Sequence, residues 1–396
     1  MINQRMEHLG SVRSAIRELF EYGLKRKAQI GEDKVFDFSL GNPSVEPPEA
    51  VTDGLIGQLK NTEPTALHGY TSASGDARVR SAISEYIAKS QGFDIPADMI
   101  YMTAGAAAAL SCSLSALVCE GEEVIVLSPY FPEYAVFIAQ AGGKAVEVPC
   151  PAPDFLPDAG AIESAITSRT AAIIINSPCN PTGAVYPLDC LKRVSEVLRK
   201  AEEKYAHPIY IVCDEPYREL VYGGVNVPYI PALYDNTVVC YSFSKSLSIP
   251  GDRIGYVAVS PRCTDSRRVF SAVSGAGRSL GYVCAPSLLQ KIIPECLGKT
   301  ADLSVYDRNR RLLTEELTAL GFTLTEPQGA FYLFLAAPDG DEGAFAEAAK
   351  RHELLLVPST SFGCRGYVRI SYCVKTEMIE RALGAFRALA KEYFGE

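Results

Sequence analysis

The sequence predicts an α/β protein, with a large domain whose mostly parallel sheet is covered by helices and a smaller α+β domain. Three observations lead there. Short β-branched runs alternate with amphipathic stretches from about residue 99 onward. The balance of 47% apolar to 21% charged residues is that of a soluble globular chain. After Ala285 the alternation gives way to a long helical stretch and a few scattered strand candidates. The length of 396 residues suits about two to three domains at roughly 100 to 200 residues each.

Taken in order, the strand candidates are Ile100 to Thr103, Glu123 to Leu127, Ala145 to Val148, Ala171 to Ile175, Ile209 to Cys213, Thr237 to Tyr241 and Ile254 to Val259. Continuous apolar runs of this length, separated by helix-like stretches such as Leu188 to Tyr205, predict a parallel or mixed sheet buried on both faces. The uncharged segment Met99 to Cys119 has about the length of a membrane span. Its Thr103, Gly105 and three serines make it too weakly apolar for lipid, so it reads as a buried strand, turn and helix. Beyond Ala285, Val305 to Leu320 reads as helix, and Gly329 to Leu335, Glu353 to Pro358 and Tyr367 to Ser371 as strands. Residues 1 to 45 fall outside the alternation and are expected to pack with the carboxy-terminal part. The expected division is therefore a large domain over 46–300 and a small domain formed by 1–45 and 301–396.

Thirty-eight basic and 47 acidic residues leave a net charge of -9, which disfavours nucleic acid and anionic membrane as partners. The amino terminus shows no apolar signal region, so a cytoplasmic location is expected. Twelve cysteines without a C-x-x-C are read as reduced, mostly buried thiols. Four scattered histidines give a zinc site no support, and no metal is expected.

In an open α/β sheet, ligands bind beyond the carboxyl ends of the strands. Five of these ends carry chemistry. The first strand leads into Thr103-Ala-Gly105-Ala106-Ala107, a glycine turn opening a helix, and the second into Ser128-Pro-Tyr130-Phe131. The fourth leads into Asn176-Ser-Pro-Cys-Asn180-Pro181-Thr182-Gly183, the fifth into Asp214-Glu215-Pro216-Tyr217, and the sixth into Ser242-Phe-Ser244-Lys245. Each signal alone is weak. Together they call for an anion at a helix amino terminus, a flat ring to stack on, a carboxylate, and an amine able to form an imine. Pyridoxal 5'-phosphate (PLP) meets all four.

With these motifs in place, the sequence resembles the class I and II aminotransferases of fold type I, in particular aspartate aminotransferase-like members. The resemblance runs from Gly41-Asn42-Pro43 through Tyr70 and the motifs above to Arg369-Ile-Ser, and the spacing of Ser242, Lys245 and Arg253 is its most specific part. It implies that Lys245 holds the cofactor covalently and then serves as general acid and base. Asp214 would pair with the pyridine nitrogen, Tyr217 and Asn180 would bond the ring's phenolic oxygen, and Phe131 would stack on the ring. The phosphate would lie on the N–H groups of Gly105, Ala106 and Ala107, closed over by Ser242 and Arg253, with Tyr70 reaching it from the second chain of a homodimer. Arg369 would grip the substrate's α-carboxylate, assisted by Gly41 and Asn180. Arg278 is, by position, a candidate for binding a side-chain carboxylate, as an aspartate or glutamate donor would need. The expected activity is transfer of an amino group between an L-amino acid and a 2-oxo acid.

Rival readings are weaker. Ser242-Phe-Ser-Lys245 also spells S-x-x-K of serine acyltransferases, but the companions K-T-G and S-D-N are missing. Gly275-Ala-Gly277 continues to Gly281, out of step with a dinucleotide-binding fingerprint. A non-catalytic cofactor-bound regulator is disfavoured by the intact lysine, aspartate and arginine. The alternative within the same cofactor chemistry is a C–S β-lyase, which would share Lys245 and Asp214.

Overall fold

A computed structural model of the chain describes residues 2–11 and 14–395. Seven strands form the main sheet: Ile100–Thr103 (β2), Glu123–Ser128 (β3), Lys144–Pro149 (β4), Thr170–Asn176 (β5), Tyr210–Asp214 (β6), Thr237–Ser242 (β7) and Gly255–Val259 (β8), with Phe36–Asp37 (β1) lying outside it. Their spatial order is β2-β8-β7-β6-β5-β3-β4. β8 runs antiparallel to both neighbours, and the other pairs are parallel. Central strands such as β5, Thr-Ala-Ala-Ile-Ile-Ile-Asn, are buried on both faces, which is why they read as unbroken β-branched runs.

Each face of the sheet carries its own apolar core. One is closed by the helices Ala106–Leu117, Glu133–Gln140 and Ser266–Ser279, through residues such as Leu110, Ile138 and Val273. The other is closed by Ala77–Gln91, Leu188–Tyr205 and Ser287–Cys296, through Ile83, Val194, Leu198 and Ile292. In Leu188–Tyr205 the buried residues Leu191, Val194, Val197, Leu198 and Ala201 recur at helical spacing. The chain builds β3 and β4 toward one edge, then β5, β6 and β7 toward the other. The direction reverses between β3 and β5, which opens a crevice above their carboxyl ends.

A second antiparallel sheet has the order β12-β13-β10-β9, from Leu324–Thr325 (β9), Tyr332–Ala336 (β10), Val357–Pro358 (β12) and Tyr367–Ser371 (β13). Helices Leu303–Ala319, Glu342–Arg351 and Thr376–Phe394 pack its core, with Leu313, Phe345 and Phe386 fully buried. β1 pairs in parallel with Leu354–Leu355 (β11).

Two sequence expectations need revision here. The strand expected over Glu353 to Pro358 is two short strands, because the chain passes from β1's partner to β13's at Leu356. The strand expected from Gly329 begins at Tyr332, since Gly329 donates to the Gly183 carbonyl and forms an isolated bridge with Val221, and Ala330 donates to the Leu220 carbonyl, instead of joining the ladder.

The helix Ala15–Ile30 starts on a Ser14 cap. Ile16 and Leu19 rest on the large core, while Arg26 pairs with Glu353 at 2.5 Å and Lys27 with Asp37 at 3.4 Å. No helix among the described residues is long and apolar enough to cross a membrane. All twelve cysteines are free thiols, and only Cys119 is exposed.

Candidate active site

Above the crevice lies a cavity of about 290 Å³, at the small end of the roughly 300 to 1,000 Å³ of small-molecule pockets. Its walls come from the ends of β5, β6 and β7, from the start of the helix Ala106–Leu117, from residues 40 and 41, and from β10 and β13.

Lys245 stands in the single helical turn Phe243–Ser246 directly after β7, a turn capped by Ser242. Its Nζ donates to the Gly41 carbonyl at 2.7 Å. Burial lowers its pKa to about 8, Cys373 works against this, and Arg253 and Arg369 add to it. The amine is thus brought close to neutrality by desolvation first and by neighbouring cations second.

Asp214 ends β6, in register with Asn176 on β5. Tyr134 donates to its Oδ2 at 2.5 Å, while its Oδ1 is buried without a partner. Burial raises its pKa to about 7, opposed by the Tyr134 bond and reinforced by Glu215. The cation in this neighbourhood goes elsewhere, because Arg218 clamps Glu215 with bonds of 2.7 and 2.6 Å. Asn176 holds the turn beyond, donating to the Asp214 carbonyl at 2.8 Å and accepting from the Asn180 N–H at 2.8 Å.

Arg369 sits on β13 and is 2% exposed. Its Nη1 donates to Asn180 Oδ1 at 3.0 Å and its Nη2 to the Ser39 carbonyl at 2.6 Å, while Nε is buried without a partner. The guanidinium carbon lies 4.6 Å from the Tyr332 ring centroid and 4.8 Å from that of Phe362. A fork held by two aromatic faces and two fixed acceptors is prepared for a planar anion.

The anion cradle is formed by Gly105, which caps the helix Ala106–Leu117 at φ +85°. The first N–H groups of that helix have no partners within it. A Cβ on Gly105 would come within 2.6 Å of Arg253 Nη2, so the left-handed turn and the close guanidinium both require glycine. Arg253 is itself anchored, donating to the carbonyls of Pro250 at 2.8 Å and Ala104 at 3.0 Å. Ser242 Oγ lies 2.8 Å from Ser244 Oγ.

These residues suit PLP. A buried amine with its pKa near neutrality, an acid with an open oxygen, a cradle of N–H groups beside an arginine, and Phe131 border one cavity. Of the residues expected from sequence, Gly41, Ala106, Ala107, Phe131, Asn180, Asp214, Tyr217, Ser242, Lys245, Arg253 and Arg369 border it, with Gly105 immediately behind. Tyr70 and Arg278 do not. Tyr70 is 98% exposed, beside Thr71, whose carbonyl accepts from Cys284 Sγ at 3.3 Å. Arg278 lies exposed in the last turn of Ser266–Ser279. Sequence reasoning missed Tyr134, Asn176, Ser244, Tyr332 and Ile16. Asn176 and Ser244 stand at the same strand ends that revealed Asp214 and Lys245, and the strand-end rule extends to them. Tyr134, Tyr332 and Ile16 look like ordinary core residues and carry no such signal.

Comparison with known proteins agrees with this geometry. The family described as Aminotransferase class I and II matches residues 33–386. An aspartate/prephenate aminotransferase of Thermus thermophilus is 32% identical over 357 residues, covering 88% of this chain and 89% of that protein. An aromatic-amino-acid aminotransferase of Thermococcus litoralis is 28% identical, covering 96% of both. Among solved structures, an amino transferase from Eubacterium rectale superposes with a TM-score of 0.98 at 50% identity, covering 100% of this chain and 99% of that one.

Proposed function

The chain belongs to the class I and II aminotransferase family and is a PLP-dependent aminotransferase, and from that premise we propose how its residues divide the work and which substrates they take. The reading rests above all on the Lys245 amine, its pKa lowered to about 8, sharing a cavity with the unpartnered oxygen of Asp214. When bound, PLP supplies an electron-withdrawing ring that weakens the bonds to the substrate's α-carbon.

Lys245 would be the attachment point and then the base that takes a proton from the substrate's α-carbon, a task suited to an amine whose pKa lies near neutrality. Asp214 would pair with the pyridine nitrogen and keep it protonated, a role that suits a buried carboxylate with an unpartnered oxygen. Tyr134 fixes the other oxygen and so the plane of the carboxylate. Gly105, Ala106, Ala107, Ser242 and Arg253 hold the phosphate, Phe131 covers the ring, and Tyr217 and Asn180 reach its phenolic oxygen. Arg369 takes the α-carboxylate, assisted by Asn180, whose Oδ1 accepts from Nη1. The proposed units are a cofactor-binding domain over 46–300 and a small domain from 1–45 and 301–396. A C–S β-lyase would use the same lysine and acid, but nothing favours it, and the relatives above are named as aminotransferases.

We further propose a homodimer in which Tyr70, almost fully exposed in one chain, completes the phosphate site of a second copy. Among the described residues, the cations bordering the cavity are Lys245, Arg253 and Arg369, which already have roles, and the wall near Ile16 and Leu40 is apolar. For the side-chain carboxylate of an aspartate or glutamate donor, the candidate cation is Arg278 of a second copy. The test is a half-reaction panel, in which the loaded enzyme is mixed with single L-amino acids and the loss of its violet absorption is followed. Arg278→Ala should slow aspartate and glutamate alone. Equal slowing of leucine and aspartate would remove Arg278 from the substrate site, and no response to any amino acid would contradict the assignment of roles.

A further inference from the structure

Tyr332 was not singled out by the sequence, and the roles above leave it unused. It begins β10, opposite Ser371 of β13, so that Tyr332, Phe334, Arg369 and Ser371 share one face of the small sheet. Its ring lies under the Arg369 guanidinium, with the centroid 4.6 Å from Cζ. Its hydroxyl, carried across from the small sheet, meets the Tyr217 hydroxyl of the large unit at 2.9 Å. The same oxygen is so close to Gly41 that a Cβ there would stand 2.1 Å from it, and Gly41 is the residue whose carbonyl accepts from Lys245. One side chain thus touches the carboxylate-gripping arginine, the tyrosine facing the cofactor's phenolic oxygen, and the backbone under the lysine.

We infer that Tyr332 is a positioning residue with two separable actions, its ring face fixing Arg369 for the α-carboxylate and its hydroxyl donating to Tyr217. The inference rests on the assignment of Tyr217 and Arg369 given above. Burial holds the pKa of Tyr217 well above its ordinary value and that of Tyr332 at about 12, so both phenols keep their hydrogens at neutral pH. Between two protonated oxygens 2.9 Å apart lies one hydrogen, and the other is free. If Tyr217 turns its hydrogen into the cavity, the bond between the two phenols is donated by Tyr332. Donation into Tyr217 polarises it and makes it a better donor in turn. The cofactor's phenolic oxygen then carries less charge, and Lys245 Nζ in the loaded enzyme holds its proton less tightly.

Two substitutions separate the actions. Tyr332→Phe keeps the ring and removes the hydroxyl, whereas Tyr332→Leu removes both. The readouts are the pH midpoint of the cofactor's near-ultraviolet to violet absorption change, and KM for amino acids. Tyr332→Phe should raise the midpoint by about half a pH unit or more, as expected for losing one bond in a buried chain, with KM changed less than about twofold. Tyr332→Leu should raise the midpoint likewise and also raise KM about tenfold, the scale of a desolvated cation–π contact. A midpoint unmoved by Tyr332→Phe in a protein whose wild type shows the absorption change would overturn the inference while leaving the cofactor roles standing. Both variants changing only the melting temperature would overturn it equally. A wild type with no such absorption change would overturn the inference and the underlying assignment together.

Discussion

Asp214 is held in a condition that a carboxylate in a stable, ligand-free protein would not ordinarily occupy. Its burial, with Oδ1 unpartnered, lifts its pKa to about 7, while in the unfolded chain it would titrate near 3.9. A carboxyl whose folded pKa is raised stabilises the fold fully below its unfolded pKa and loses that contribution as pH rises toward the folded value. The cofactor-free chain should therefore lose stability between about pH 4 and pH 7. Asp214→Asn should melt higher than wild type at pH 8 without cofactor, with the gap narrowing toward pH 4. Parallel melting curves across that range would show that the acid is not strained. Adding PLP should reverse the order, because the ring N–H⁺ supplies the missing countercharge to the wild type alone. At this scale the sequence was legible wherever a polar residue ended a strand. Asp214, Asn180 and Lys245 were reached in that way, Arg369, inside β13, only through the family resemblance, and Tyr134 and Tyr332 not at all, since an aromatic hydroxyl at a site and one in a core look the same until its bond partners are known.

The elements place this chemistry through their ends. β2 stops at Thr103, Gly105 turns the chain at φ +85°, and the helix starting at Ala106 points its free N–H groups at the place where β6 and β7 deliver Asp214 and Lys245. Gly105→Ala would put a methyl 2.6 Å from Arg253 Nη2 and force a side chain into the left-handed region. The variant should bind PLP more weakly by about tenfold or more, while its cofactor-free melting temperature falls by only a few degrees. Equilibrium dialysis of the two proteins against PLP checks this, and unchanged affinity would mean that the anion sits elsewhere. The large-sheet strands were legible because burial on both faces makes their apolar runs continuous. The small-sheet strands were less so. β11 and β12 are two residues each and change partner at Leu356, a switch decided by tertiary pairing that leaves no mark on a single run of apolar residues.

On the scale of the whole molecule, one chain builds most of a site and leaves Tyr70 and Arg278 facing outward, beyond the reach of their own cavity. The proposed shared-site homodimer would account for that placement, and it can be tested without a structure of the assembly. Lys245→Ala and Tyr70→Ala chains, each impaired alone, should regain activity when unfolded together and refolded. If Tyr70 serves the opposite chain, half of the random dimers carry one intact site, and about a quarter of all sites recover. No recovery over the separate variants would place both residues in the same chain's site. The central claim, that the buried Lys245 amine sharing a cavity with Asp214 is where PLP is held, is tested most directly by reducing the PLP-loaded protein with borohydride and mapping the modified peptide. The account predicts a single pyridoxyl group on Lys245, absent in Lys245→Ala. A label on any other lysine, or none at all, would contradict it.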